Sequence, residues 1–157
     1  MRPEGVAAAR REMTRATRAI RRLTHADSLE DAEDAWVDFL NHANRIYLKL
    51  RAACHGQGVD WMWWKKKMDE RRDDALLCYV HHARNTDTHR LDQTAASVGG
   101  QAQFLLKPLP VIDHGITYPV PTTHRRWELP DLDVQTIAWF AGGYLSGLVN
   151  EAALRLP

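Results

Sequence analysis

The sequence predicts a mainly α fold: a helical bundle of four to five helices, with a small β-hairpin or extended excursion before the C-terminal helix. Two observations carry this. Along most of the chain, apolar residues recur at steps of three and four, the spacing that places them on one face of a helix. Between residues 101 and 130 the pattern changes, because five of the seven prolines fall there among short apolar runs. Proline removes a backbone donor and breaks helices, so this stretch suits strands and turns. With 157 residues the chain is long enough to bury one core and reads as a single domain, residues 1–157.

The first helix is expected over residues 4–24. Val6, Ala9, Met13, Ala16, Ile20 and Leu23 form its seam, flanked by Arg10, Arg11, Arg15, Arg18, Arg21 and Arg22. A seam this narrow docks weakly, which makes residues 1–26 a basic helical arm, facing a partner or partly mobile. Ser28 and Asp31 have the spacing of an N-terminal capping box. The helix they open carries Trp36, Phe39, Leu40, Ala43, Ile46, Tyr47 and Leu50 on one face and ends at Gly56 and Gly58. Asp60 can cap a third helix with Trp61, Trp64 and Met68. The charged stretch 69–74 marks a break, with Asp73 or Asp74 capping the next helix, which passes through Leu76, Leu77, Val80 and Ala83 and fades near Ser97. In the Pro-rich excursion at 101–130, Asp113-His114-Gly115 is a candidate tight turn between two apolar runs. A final helix after Pro130-Asp131 reaches about Leu154, with Ile137, Phe140, Ala141, Tyr144, Leu145 and Leu148 on its apolar face. Gly142, Gly143, Ser146 and Gly147 lower its intrinsic propensity and suit close approach of a neighbour.

Composition narrows the function. The apolar and charged fractions, 45% and 26%, are those of an ordinary globular protein. A formal net charge of +1 argues against a dedicated polybasic nucleic-acid binder but leaves room for local patches. Cys54 and Cys78 form no C-x-x-C pair, which suggests reduced thiols. No apolar leader or membrane-length run is present in the sequence, so a soluble, unprocessed, cytoplasmic protein is expected, with no membrane partner. A Gly-rich phosphate loop, a G-x-S-x-G elbow and an H-E-x-x-H pair are all missing, which removes the usual support for nucleotide-dependent enzymes, serine hydrolases and zincins.

The chemistry concentrates in Arg84-Asn85-Thr86-Asp87-Thr88-His89, within the fourth predicted helix. A guanidinium stabilises charge on phosphorus and an imidazole moves protons near neutral pH, the minimum equipment for cleaving RNA without a metal. These residues resemble the R-[N/D/H]-x-x-x-H signature of HEPN-domain proteins. Those are small all-helical bundles, many of them ribonucleases of toxin–antitoxin, phage-defence or RNA-processing systems. The match covers this hexapeptide, and size and helical character extend the likeness to about residues 28–155. The resemblance implies attack of the RNA 2′-OH on the adjacent phosphorus, giving a 2′,3′-cyclic phosphate and a 5′-OH end. His89 would act as general base or acid, Arg84 would hold the phosphate, and Asn85 would position the backbone or the histidine. It also implies a homodimer with the cleft between protomers, no cofactor, and an inhibitor protein as a possible further partner.

Helical geometry constrains this reading. Asn85 and His89 are four apart and share a face, whereas Arg84 and His89 are five apart, roughly 140° around an ideal helix. Both can line one cleft only if it wraps the helix, if the helix is distorted, or if a second protomer supplies part of it. Against the catalytic reading stands the plain one, that Arg84, Asn85 and His89 form a solvated polar face.

Other groupings are weaker. Cys78, His82 and His89 are spaced for one side of a metal site, but no fourth ligand stands out, so a histidine-rich helix face is preferred and no metal is assigned. In Trp61-Met62-Trp63-Trp64-Lys65-Lys66-Lys67, Trp61 and Trp64 share a face and suit the core. Trp63, Lys65, Lys66 and Lys67 are then the candidates for RNA stacking and phosphate contact. The basic block before residue 24 and the six acids of residues 27–38 can pair within the chain or across a dimer. Two functions remain: a HEPN-type metal-independent endoribonuclease, or a non-catalytic helical protein-interaction module.

Overall fold

The computed structural model describes residues 1–87, 95–98, 105–125, 127–129 and 132–156. Among them the chain is mainly α, with five helices and three two-stranded antiparallel ladders before the last helix.

Helix α1 (Pro3–Thr24) starts with Pro3 in the first turn, where its missing N–H costs nothing. It is not an arm. Val6, Ala9, Ala16, Ala19 and Leu23 are buried, and α1 packs along α2 (Leu29–Ala53) and against α5 (Val134–Ala153). The seam looked thin because it is built from small residues, and small residues let helices approach closely. A Cβ on Gly5 would lie 2.6 Å from the Cβ of Ala53. The Arg2 amide donates to the Ala53 carbonyl at 2.8 Å, pinning the start of α1 to the end of α2. One ion pair, Arg22 to Asp38 at 2.6 Å, joins the basic and acidic blocks within the chain.

Helix α2 opens as its sequence suggests: the Ser28 hydroxyl accepts from the Asp31 amide at 3.0 Å. Its face carries Trp36, Phe39, Leu40, Ile46 and Leu50, all buried, into a core completed by Leu76, Tyr79, Ile137, Leu145 and Leu148. Helix α3 (Val59–Asp73) follows the positive-φ Gly58. The break after it is Asp74, whose carboxylate accepts from the Leu77 amide at 3.0 Å and so caps α4 (Ala75–Asp87). Helix α4 ends earlier than its apolar pattern suggested. Residues 95–98, expected in its fading end, form strand β1 (Ala95–Val98), antiparallel to β2 (Leu105–Pro108).

Strands β3 (Val111–Asp113) and β4 (Ile116–Tyr118) pair Asp113 with Ile116 across the expected turn. His114 and Gly115 both have positive φ, 49° and 78°, which matches the right-handed twist of a two-residue hairpin. After the short ladder of β5 (Thr123–His124) and β6 (Trp127–Glu128), Asp133 caps α5, its carboxylate accepting from the Thr136 amide. No helix among the described residues is long and apolar enough to cross a membrane.

Candidate functional site

Helix α4 divides the motif between two faces. Residues three or four apart on a helix are neighbours, while adjacent residues point about 100° apart. His82, Asn85 and Thr86 face the β3–β4 hairpin; His81 and Arg84 line the neighbouring cleft against α2 and α3.

On the hairpin face, one carboxylate oxygen of Asp113 accepts from Asn85 Nδ2 at 2.8 Å and meets His82 Nδ1 at 2.7 Å. The hydrogen bonds from Asn85 and His82 hold the Asp113 carboxyl below the usual range, against the smaller opposing effect of burial. Tyr118 stacks on the His82 ring with centroids 3.5 Å apart and planes 10° from parallel. The Thr86 hydroxyl lies 3.0 Å from the Ile112 carbonyl. Asn85 therefore anchors the hairpin to α4. His82, once weighed as a metal ligand beside Cys78, is engaged by Asp113 and Tyr118 in the same way.

The cleft face is cationic. A recess of about 20 Å³, lined by Leu77, Arg71, His81, Arg84, Tyr47 and Leu145 among others, opens beside an outer cleft of about 430 Å³. Arg71, His81, Tyr47 and Asn44 line both. The outer cleft adds Trp61, Trp64, Lys65 and Arg51, with Asp69 as an acidic member that is paired with Arg72 at 3.0 Å. The Arg71 guanidinium lies 4.6 Å above the Tyr47 ring, and burial weakens its hold on its proton. Arg84 Nε is buried without a hydrogen-bond partner, and its Nη1 makes only a long 3.4 Å contact to Asn85. Among the described residues, neither arginine has a carboxylate at ion-pairing distance. His81, which lines the recess with them, is pulled down to about 4 by burial first, then by the charges of Arg71, His82 and Arg84, with Asp113 opposing. It is neutral at pH 7.

The four residues expected to contact RNA divide between surface and core. Lys65 and Lys66 are exposed, and Lys65 edges the cleft. Trp63 and Lys67 are buried instead. The Trp63 indole N–H donates to Glu151 at 3.3 Å, and the Lys67 ammonium sits between Glu70 and Glu151, 2.9 Å from each. Both side chains are used up in joining α3 to α5, because a lysine can bury its stem only when its charge is matched. His89 lies outside the described residues. Arg71 and His81 were missed. His81 and Arg84 are three apart on one helix, a readable signal, but Arg71 reaches them only through the packing of α3 on α4.

Scans of family models, curated proteins and solved structures found no match to this chain.

Proposed function

We propose that the chain is a metal-independent endoribonuclease of HEPN type, acting as a homodimer, with Arg84 and His89 as its reacting pair. The observation that carries the reading is the surroundings of Arg84. The motif arginine lines a small recess with no carboxylate paired to it among the described residues, and the recess shares Arg71, His81 and Tyr47 with an outer cleft that has aromatic and lysine edges. Trp61 and Lys65 suit a base and a phosphate of single-stranded RNA.

In the proposed reaction the RNA 2′-oxygen attacks phosphorus and its proton passes to an imidazole. The bond from phosphorus to the 5′-oxygen breaks, and that oxygen takes a proton as it leaves. The products are a 2′,3′-cyclic phosphate and a 5′-OH, with no water consumed. Two proton-transfer groups are needed, one as base and one as acid. Facing copies of the motif in a dimer would supply two His89 imidazoles, while Arg84 offsets charge on the non-bridging oxygens. A role in a toxin–antitoxin or phage-defence system, with an inhibitor protein as partner and a cytoplasmic setting, goes with this reading.

The test is RNA cleavage in chelator by wild type, Arg84→Ala and His89→Ala, alongside solution mass. Wild type is expected to cut as a dimer, with each variant about 10²-fold slower or worse. Cleavage surviving both substitutions would rule out this site. A monomer that cuts no RNA would instead favour a non-catalytic helical interaction module.

A further inference from the structure

We infer that Arg71, Arg84 and His81 form a pocket for a single phosphate group, one oxygen seated in the recess beside Arg84 and the others facing Arg71 and His81 in the outer cleft. The inference rests on the cleft used by the ribonuclease reading, but it requires neither His89 nor cleavage.

Charge is the first argument. Guanidinium groups do not shed their protons in proteins, so two of them facing one cavity cannot relieve their repulsion by neutralising. Cations drawn partly out of water are ordinarily paired, and both guanidiniums are half-buried. Here neither has a carboxylate at pairing distance among the described residues, and Arg84 Nε has no hydrogen-bond partner. A carboxylate ligand brings one negative charge and leaves one cation uncompensated. A phosphate brings up to two, with enough oxygens for two guanidinium forks and an imidazole N–H.

Shape is the second. The recess of about 20 Å³ is too small for a whole phosphate, but it has room for one oxygen or one water. The adjoining 430 Å³ cleft, which shares Arg71 and His81 with it, holds the rest and whatever the phosphate is attached to. The Arg71 guanidinium carbon lies 4.6 Å from the Tyr47 ring centroid, a contact that holds the cation at the cavity wall without supplying a counter-charge. His81 is neutral at pH 7, so it can donate one N–H without adding a third fixed charge to the empty pocket.

The experiment uses the whole chain and inorganic phosphate, with sodium acetate at matched ionic strength as the comparison. Wild-type thermal midpoint is expected to rise in phosphate over acetate, and the His81 ring resonances, followed by NMR, to move as its titration climbs from about 4 toward neutrality. Arg71→Met and Arg84→Met are expected to abolish the midpoint rise while keeping a phosphate-free midpoint at or above wild type, since each removes an unmatched cation. If either variant fails to fold, the wild-type His81 titration still decides the matter. Identical midpoints and identical His81 titrations in phosphate and acetate would overturn the pocket. Because no RNA is present, the two readings fail separately: phosphate binding without RNA cleavage sinks the ribonuclease alone, and cleavage without a His81 response sinks the pocket alone.

Discussion

At the scale of single residues, His81 and Asp113 set two separate pH windows. The folded protein holds His81 neutral down to about 4, whereas an unfolded histidine takes its proton near 6.5. Between those values the unfolded chain binds more protons, so stability rises with pH there and is lost as the pH falls from about 6.5 toward 4. Groups facing His81 from the packed elements are Arg71 on α3, His82 and Arg84 on α4, and Asp113 on β3. His81→Asn is expected to flatten this window in denaturant titrations run at stepped pH; an unchanged slope would contradict it. Asp113 acts lower. Its carboxyl is held below the unfolded value, so its stabilisation is complete above about pH 4 and fades as the pH drops through the lowered value. Asp113→Ala removes the acceptor shared by the Asn85 amide and the His82 imidazole, and is expected to cost about 1–3 kcal/mol at pH 7 by urea unfolding.

The lysines divide in the same residue-by-residue way. On the proposed ribonuclease reading, Lys65→Gln is expected to weaken RNA binding and to reduce its salt dependence by about one counterion. Lys67→Gln should leave that salt slope alone, because Lys67 is spent on Glu70 and Glu151. Binding isotherms at several salt concentrations check both, and equal slopes for the two variants would contradict the assignment.

At the scale of elements, helix α1 tests whether close packing or thinness describes its seam. Gly5→Ala improves helix propensity by up to about 1 kcal/mol. It also drives a methyl to 2.6 Å from the Ala53 Cβ and 2.9 Å from its Cα, which is backbone and cannot swing aside. A net loss of about 1–3 kcal/mol is expected in thermal or denaturant unfolding. A gain would mean that α1 is loosely held after all.

The elements also show what was legible beforehand. The Ser28 cap, the amphipathic face of α2 and the His114-Gly115 turn are local features, written in adjacent residues, and they were readable. The docking of α1 was not, because helical spacing counts apolar positions but does not weigh how near an alanine-lined face lets another helix come. The end of α4 was missed because Ala95, Ala96 and Val98 fit a helical period as well as a strand; pairing with β2 decides between them. At the candidate site, Arg84 was legible as a motif residue, whereas its company was not. Arg71 sits in a run of charges that reads as a solvated break, and only the packing of α3 and α4 turns it inward beside Tyr47.

At the scale of the whole molecule, the bundle places a cationic cleft on one side of α4 and a hydrogen-bonded hairpin on the other. Arg84 and Asn85, neighbours in sequence, thereby sit in different settings: one lines the small recess beside the cleft and the other ties the hairpin to α4. Charge averaged over the chain, +1, hides this completely. The two acid–base groups that the proposed reaction needs also make assembly part of the mechanism, so a wild-type protomer paired with a His89→Ala protomer, left with one imidazole, should lose nearly all activity, whereas protomers acting independently would keep about half.

The most direct test of the ribonuclease account is the chemistry at the cut itself. An RNA cleaved by the wild-type protein in chelator is compared with the same RNA carrying a 2′-O-methyl group at the cut position. The account predicts that the unmodified strand yields a 2′,3′-cyclic phosphate and a 5′-OH, and that the modified position is not cut. Cleavage of the methylated position, or products ending in a 5′-phosphate, would contradict attack by the 2′-hydroxyl and with it the role assigned to Arg84 and His89.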